Sequence, residues 1–268
     1  SAEAEALGAQ VRWPEGAAPE VVGRLDAAAL ARALEAPDPG TARLPVFSET
    51  ARLLARELGD RCAVGAYVSG PWTLIATAMG LAQASRLLRR DREMAARLVQ
   101  AAARFGLALA ADLARAGADI IMVLEPCVAG GIMAPRDVDS LVTPALGGLL
   151  AGCRDLGLRP VLHICGDAGG VLPALGPCAS FPLSLDSQVE LDQAAAVLPP
   201  DTVIWGNLNP VDVLMRGDAA SVATACGRCL DAMASRGRFV LSSGCEVPPG
   251  TPLENLQAMV RAAGPRRA

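Results

Sequence analysis

The sequence of 268 residues contains no lysine, because all 24 of its basic residues are arginines. A mechanism that forms a Schiff base on a lysine is therefore excluded. The single histidine also excludes any mechanism that needs two histidines from this chain. Aromatic residues make up 3% of the chain and the net charge is −4, so the sequence offers neither the stacking platforms nor the basic face of a nucleic-acid-binding protein.

Long apolar runs are absent as well. A membrane-spanning helix needs about 20 apolar residues, and the longest candidate, residues 107–124, is interrupted by Asp112, Arg115 and Asp119. No charged segment followed by an apolar one predicts a secretory signal. Eight cysteines in a chain of this length do not indicate a disulfide framework. We therefore expect a cytoplasmic protein with no membrane or nucleic-acid partner, in which the cysteines are free thiols or metal ligands.

Short apolar runs alternate along the chain with helical stretches rich in alanine, leucine and arginine. The runs are apolar throughout rather than alternating, which is typical of parallel strands covered by helices. No glycine-rich phosphate-binding motif follows the first strand, and this disfavours a doubly wound sheet. The pattern favours an α/β fold of the (β/α)₈ TIM-barrel type, although only six strands are predicted: 62–69, 119–124, 160–165, 181–186, 202–207 and 238–243.

No domain boundary is evident, so residues 1–268 are predicted to form a single (β/α) barrel domain. Residues 1–40, rich in proline, glycine and glutamate, are predicted to be an irregular segment packed on the barrel. Within this segment we expect a short helix, a hairpin around residues 11–22 and a loop. Two barrel strands are not found, so either they are not recognisable in the sequence or an N-terminal portion is missing. The start at Ser1 rather than methionine favours a missing portion.

The sequence Val161-Leu162-His163-Ile164-Cys165 ends one of the apolar strands. Residues two apart in a strand point to the same side, so His163 and Cys165 project together at the carboxyl end of the strand. In a barrel this end carries the active site. An imidazole beside a thiolate is half of a zinc site. A buried histidine beside a small apolar cysteine is the alternative that this short motif leaves open.

A second cysteine, Cys245, follows the last predicted strand in a loop rich in glycine and proline. If all strands belong to one barrel, Cys245 faces the same cavity as His163 and Cys165. Three ligands of this kind leave one position of a tetrahedron open, as in catalytic rather than structural zinc sites. The large sequence separation means that spacing alone does not decide between a metal site and unrelated cysteines.

Four motifs together resemble the uroporphyrinogen decarboxylase superfamily. They are Gly70-Pro71-Trp72-Thr73, His163-x-Cys165-Gly166, Gly206-Asn207-Leu208-Asn209-Pro210 and Ser243-Gly244-Cys245-Glu246, the last continuing through Pro248 and Gly250 to Pro252. The resemblance covers essentially the whole chain and implies a distorted (β/α)₈ barrel. Members of the family have additional N-terminal residues, which agrees with a truncated or shortened start here.

Two branches of that superfamily differ at the last motif. The decarboxylases have Gly-His-Gly where this chain has Gly244-Cys245-Glu246, use no metal and bind a tetrapyrrole through residues near the N-terminus. The pattern of His163, Cys165 and Cys245 resembles instead the zinc-dependent corrinoid methyltransferases, such as the methylcobalamin:coenzyme M methyltransferases. Cobalamin-independent methionine synthases have a similar histidine–cysteine pattern.

This resemblance implies a zinc-dependent methyltransferase of one-carbon metabolism, with Zn²⁺ held by His163, Cys165 and Cys245. The methyl donor would be a methylated corrinoid (cobalamin) protein, and the acceptor a thiol such as coenzyme M, or tetrahydrofolate. A free thiol is mostly protonated at neutral pH, and zinc favours its thiolate. The oligomeric state is not predicted.

Three further polar residues follow predicted strands and are candidates for binding the cofactor or substrate. Asp186 is either a fourth zinc ligand or a substrate contact. Glu125 is either a site residue or a carboxylate that caps a helix or a loop. Asn207 is either a hydrogen-bond donor to substrate or part of a turn.

Two other functions remain open at this point. The first is a metal-free porphyrinogen decarboxylase, which the replacement of histidine by Cys245 disfavours. The second is a non-catalytic barrel that retains the fold alone. The presence of zinc separates the methyltransferase from both.

Overall fold

A parallel sheet of six strands forms the centre of the molecule in a computed structural model that describes residues 1–36 and 38–264. Each strand lies within, or within one residue of, a run predicted from sequence, and the strand order follows the chain. The bounds are β3 Gly65–Ser69, β4 Ile120–Leu124, β5 Arg159–Ile164, β6 Leu183–Leu185, β7 Ile204–Leu208 and β8 Phe239–Ser243. Sequential parallel strands joined by helices are the connectivity of a (β/α) barrel.

The α/β fold predicted from the sequence is confirmed, with six strands in its parallel sheet. Among the described residues β3 and β8 are the edges of this sheet, and no strand joins them. The inner strands β5 and β6 are almost fully buried, because apolar side chains on both faces are covered. The predicted domain extends to residue 268, and residues 265–268 lie outside the described residues.

Helices connect the strands and cover the sheet. The α-helices are α1 Ala2–Ala6, α2 Ala27–Glu35, α3 Leu44–Leu58, α4 Pro71–Met79, α5 Leu81–Arg90, α6 Arg92–Arg115, α7 Pro135–Asp137, α8 Thr143–Asp155, α9 Leu191–Val197, α10 Ala219–Ala232 and α11 Leu253–Ala262. Short 3₁₀ segments cover Pro126–Val128 and Gly169–Cys178, and π-helical turns cover Val138–Val142 and Pro210–Met215.

The N-terminal segment contains more regular structure than the sequence predicted. The expected hairpin is present as the antiparallel strands β1 Gln10–Arg12 and β2 Glu20–Gly23. The expected loop is wrong over Ala27–Glu35, which is helical. Asp26 caps this helix by accepting a hydrogen bond from the backbone N–H of Ala29, and Leu30 and Leu34 are buried in the core. An alanine-rich stretch with a cap and an apolar stripe is a good helix former.

Helix α6 is the longest helix among the described residues. Among the described helices it is the one that is long and apolar enough, by length and composition alone, to cross a membrane. Half of its most apolar 18-residue stretch is buried inside the fold. Leu98, Phe105, Leu109 and Leu113 pack into the core. The Asp91 side chain caps its first turn at the N–H of Met94, at 2.9 Å, where α5 ends.

Candidate metal centre

His163 and Cys165 lie at the carboxyl end of β5, as the strand pattern predicted. His163 is the fifth residue of the strand, and its side chain is 7% exposed. Cys165 follows the strand and is half-buried, and Gly166 turns the chain with a φ of +81°. Only glycine adopts this conformation without strain. The chain therefore turns away from the sheet at Gly166, and the Cys165 thiol lies directly after the carboxyl end of the strand.

Cys245 reaches the same place from the end of β8. The N–H of Gly244 donates to the carbonyl oxygen of Leu208, at 2.7 Å, and so extends the pairing of β7 with β8 by one residue. A Cβ on Gly244 would overlap the backbone nitrogen of Ser187. The absence of a side chain at Gly244 is thus what allows the Cys245 loop to approach the loop after β6.

The three residues converge although Cys165 and Cys245 are 80 residues apart. The Sγ atoms of Cys165 and Cys245 are 3.4 Å apart. One ligand atom from each of His163, Cys165 and Cys245 lies within 4.8 Å of the others. All eight cysteines, which lie in the described part of the chain, carry free thiols. The arrangement therefore brings together the imidazole and two thiols that the sequence singled out, and this donor set fits zinc with one open position.

Burial determines the protonation of these groups. Desolvation is the main factor that raises the pKa of the Cys165 thiol to about 12, and the neighbouring Cys245 and Asp186 act in the same direction. Desolvation also lowers the pKa of His163, while the Asp186 carboxylate and the Ser184 backbone act in the opposite direction. The imidazole is therefore neutral at pH 7, as a metal ligand must be, and the Cys165 thiol needs a cation beside it to lose its proton.

Asp186 borders the cluster from the end of β6. Its Oδ2 accepts hydrogen bonds from the Cys165 thiol at 3.3 Å and from the N–H of Gly166 at 3.0 Å. Its Oδ1 accepts from the N–H of Gln188 at 3.0 Å. Burial acts to raise the pKa of Asp186, but these hydrogen bonds outweigh it and hold the pKa below its usual value. The carboxylate is thus ionised and in hydrogen-bond contact with one of the three candidate ligands, Cys165.

The structure places Glu125 away from the three ligand atoms, at the start of helix α4. Its carboxylate accepts from the N–H groups of Trp72 at 2.9 Å and Thr73 at 2.7 Å, and also from the Thr73 hydroxyl. The two N–H groups belong to the first turn of the helix, where backbone N–H groups have no carbonyl acceptor within the helix. The contacts match the helix-capping alternative for Glu125.

Burial raises the pKa of Glu125 to about 7 despite the hydrogen bonds from Thr73 and Trp72 that act to lower it. An acid whose pKa is raised on folding stabilises the folded state fully below its unfolded pKa, and this contribution is lost as the pH rises to the folded value. We expect the free energy of unfolding to fall by about 3 kcal/mol between pH 4.5 and 7 from this group.

Urea unfolding at pH 5 and pH 8 of the native protein and of Glu125→Gln measures this contribution. The variant cannot ionise at this position, so its free energy of unfolding lacks the fall between pH 5 and pH 8 that is due to Glu125. The change in the free energy of unfolding between the two pH values is compared in the two proteins. His163 contributes to this change with the opposite sign, and its contribution cancels because both proteins contain it. An equal change with pH in both proteins would contradict the prediction.

Asn207 closes the loop that follows β6. Its amide nitrogen donates to the carbonyl oxygens of Asp186 at 3.0 Å and Val189 at 2.6 Å. These bonds hold the loop from 186 to 189 against the end of β7. Asn207 lies within β7 rather than in a turn, and it holds the backbone of Asp186 in place. Its predicted hydrogen bond to substrate stays a prediction.

One residue near the centre was missed by the sequence reasoning. Ser184 is paired with His163 in the register of β5 with β6, and its Oγ lies 3.0 Å from Nδ1 of the ring. The signal was present, because Ser184 and Asp186 are two apart in a strand and so face the same side. Without knowledge of which strand neighbours β5, however, that signal pointed to no partner.

Comparison with known proteins places the chain beside two kinds of enzyme. A methylated-thiol:coenzyme M methyltransferase of Methanosarcina mazei is 27% identical over 264 residues, which are 98% of this chain and 69% of that protein. A methylcobamide:coenzyme M methyltransferase of the same organism is 27% identical over 83% of this chain and 64% of its own length. A uroporphyrinogen decarboxylase of Syntrophotalea carbinolica is 28% identical over 81% of this chain and 64% of its own length.

Solved structures give the same fold. A methyltransferase from Methanosarcina mazei superposes with a TM-score of 0.87 at 22% identity, over 98% of this chain and 77% of that one. A B12-independent methionine synthase from Shewanella superposes with a TM-score of 0.62 at 18% identity, over 91% of this chain and 69% of the other.

The chain spans about two thirds of the length of the curated relatives it matches, between 64% and 69% for the three proteins above. The family model described as uroporphyrinogen decarboxylase (URO-D) matches residues 1–264. That match covers nearly the whole chain, the parallel sheet and the strand ends that carry His163, Cys165 and Cys245, and it shows that this protein belongs to the uroporphyrinogen decarboxylase family.

Proposed function

We propose that this protein is a zinc-dependent methyltransferase that moves a methyl group from a methylated corrinoid to a small thiol. The observation that carries the proposal is the convergence of ligand atoms from His163, Cys165 and Cys245 within 4.8 Å at the carboxyl end of the strands. The relatives named as methylcobamide:coenzyme M and methylated-thiol:coenzyme M methyltransferases support the same reaction class.

His163, Cys165 and Cys245 would hold the zinc ion. When bound, zinc supplies a Lewis acid that favours the thiolate form of a substrate thiol at the open position. His163 binds as a neutral imidazole, in agreement with its lowered pKa. Cys165 and Cys245 as thiolates carry two negative charges, so they balance the charge of a divalent ion and leave a substrate thiolate nucleophilic.

In the methyl transfer, a bond forms between the substrate sulfur and the methyl carbon as the carbon–cobalt bond breaks. The electron pair of that bond stays on the cobalt of the corrinoid, and the proton of the thiol is released before the attack. The chain contributes a fixed acceptor site: Gly166 turns the chain after Cys165, Gly244 allows close approach of the Cys245 loop, and Asn207 anchors the loop of Asp186. Such positioning lowers the entropic cost of the transfer.

Asp186 is proposed to border the open position. Because its carboxylate is ionised and already accepts from two backbone N–H groups, it stays in place whether or not a substrate is present. Asp186 would serve either as a fourth ligand of the zinc ion or as a contact of the substrate. The relevant donor is a methylated corrinoid protein, and the acceptor is a thiol such as coenzyme M, with tetrahydrofolate as the alternative acceptor.

The purified zinc-loaded chain is expected to demethylate methylcobalamin when coenzyme M or another small thiol is supplied. Loss of the carbon–cobalt bond changes the visible absorbance of the corrinoid, which gives the rate directly. Tetrahydrofolate in place of the thiol tests the alternative acceptor. A chain that binds zinc but transfers no methyl group to any thiol or to the folate would contradict the proposal.

A porphyrinogen decarboxylase is the second candidate, favoured by the match to a uroporphyrinogen decarboxylase at 28% identity. This reaction needs no thiol ligands, and the proximity of Cys165 and Cys245 has no role in it. Incubation of the metal-free chain with uroporphyrinogen decides between the two. Release of carbon dioxide without zinc would favour the decarboxylase, whereas we expect none.

A further inference from the structure

We propose that Ser184 orients His163 for metal binding, an inference that rests on the proposed function. The register of β5 with β6 pairs the two residues, and the Ser184 Oγ lies 3.0 Å from Nδ1 of the imidazole. Both side chains are buried, with His163 7% and Ser184 3% exposed. The hydrogen bond is thus shielded from water and holds the ring in one rotation.

This contact decides which ring nitrogen faces a metal. Nδ1 is occupied by the hydroxyl, so Nε2 is the nitrogen left to bind the ion. A nitrogen that binds a metal carries no proton, and a neutral imidazole has one proton, which must then reside on Nδ1 and be donated to the Ser184 Oγ. Histidine ligands in metalloproteins generally donate their second ring N–H in this way, and the partner raises the metal affinity.

Strand β6 supports the two ligands of β5 at successive inward positions. Ser184 contacts His163, and two residues later Asp186 contacts Cys165 and the N–H of Gly166. The hydrogen-bond partner of the ring is Ser184, whereas the Asp186 carboxylate accepts from the Cys165 thiol and from the backbone N–H groups of Gly166 and Gln188. Ser184 is therefore a positioning residue that acts through His163 and does not touch the substrate.

The first test compares the zinc affinity of the native chain with that of Ser184→Ala, by competition with a chromogenic chelator. Loss of the hydroxyl is expected to weaken zinc binding about 10–100-fold. Thr202→Val is the matched control, because it removes a different buried hydroxyl, one with no hydrogen-bond partner among the described residues, just before β7 begins. This control is expected to bind zinc with native affinity. Thermal unfolding without metal checks that both variants fold.

The second test uses the presence of a single histidine in the chain. Nitrogen-15 NMR of the imidazole in the zinc-loaded native protein reports one residue without assignment. We expect a protonated Nδ1 and a metal-bound Nε2, because zinc binding through Nδ1 would require the ring to give up its hydrogen bond to Ser184. This measurement needs no variant, so zinc binding through Nδ1 would overturn the inference even if Ser184→Ala does not fold.

The possible outcomes separate this inference from the proposed function. A native chain that binds zinc through Nδ1, or a folded Ser184→Ala that binds zinc as tightly as the native chain, overturns the role of Ser184 and leaves the proposed function standing. A folded native chain that binds no zinc overturns both. The inference is supported if Ser184→Ala binds zinc more weakly than the native chain, Thr202→Val binds it with native affinity, and Nδ1 is protonated in the native protein.

Discussion

Replacing Cys245 with alanine is expected to reduce the bound zinc from about one ion per chain to none, because a catalytic zinc site relies on three protein ligands. The remaining pair, His163 and Cys165, comes from one strand and cannot enclose the ion. Methyl transfer is expected to fall by at least about 100-fold, since a lost ligand costs more than a lost outer-shell partner. Metal analysis after dialysis and the methylcobalamin assay measure the two effects.

The fold is not expected to depend on this residue. Cys245 lies in a half-buried loop after β8, outside the apolar core. Cys62→Ala is the matched control, because its thiol is exposed and lies outside the cluster, and this variant should retain zinc and activity. If Cys245→Ala keeps a full equivalent of zinc, the proposed ligand set is wrong.

Replacing Glu125 with alanine is expected to lower the free energy of unfolding by about 3 kcal/mol at pH 6, because buried donors left without an acceptor cost roughly 1–3 kcal/mol each. The donors are the N–H groups of Trp72 and Thr73 and the Thr73 hydroxyl, all of which use the Glu125 carboxylate. Part of this loss of stability is offset, because the variant no longer has to remove a carboxyl group from water when it folds. Urea unfolding of the metal-free protein measures the change.

The same variant separates a structural role from a role at the metal. Because Glu125 contributes no atom to the ligand cluster, zinc stoichiometry should stay at the native level while stability falls. Glu246→Ala is the comparison, since this carboxylate is exposed and lies next to Cys245 in sequence, and it is expected to change stability by less than about 0.5 kcal/mol. Loss of zinc from a folded Glu125→Ala would instead return Glu125 to the site.

Much of the fold followed from local patterns. The strand around His163 was predicted because an apolar run of this length between helical stretches is typical of a buried parallel strand. The hairpin and the position of His163 and Cys165 on one side of β5 also follow from the period of a strand. The helical region between β3 and β4 that follows α4 is two helices, α5 and α6, because Asp91 leaves the helical conformation and caps the second one.

Several features of the site were not determined by local patterns. Glu125 follows a strand just as Asp186 does, yet its carboxylate caps α4 while that of Asp186 borders the thiols. Both strands have a neighbour on each side, but the Glu125 carboxylate lies toward the β3 side, where α4 begins, whereas the Asp186 carboxylate lies toward the β5 side, where Cys165 follows the strand. Which strand is adjacent, and in which register, depends on the packing of the whole sheet.

By itself, the sequence determined the fold class, the strand ends that carry polar residues, and the pairing of one imidazole with one thiol two residues away. These features depend on the backbone geometry of single elements. Only the tertiary structure decided that the Sγ atoms of Cys165 and Cys245 lie 3.4 Å apart, and that Nδ1 of His163 contacts the hydroxyl of Ser184. The physical reason is that contacts across 80 residues of chain are set by strand register, by close backbone approach at Gly244 and by core packing, which no local period encodes.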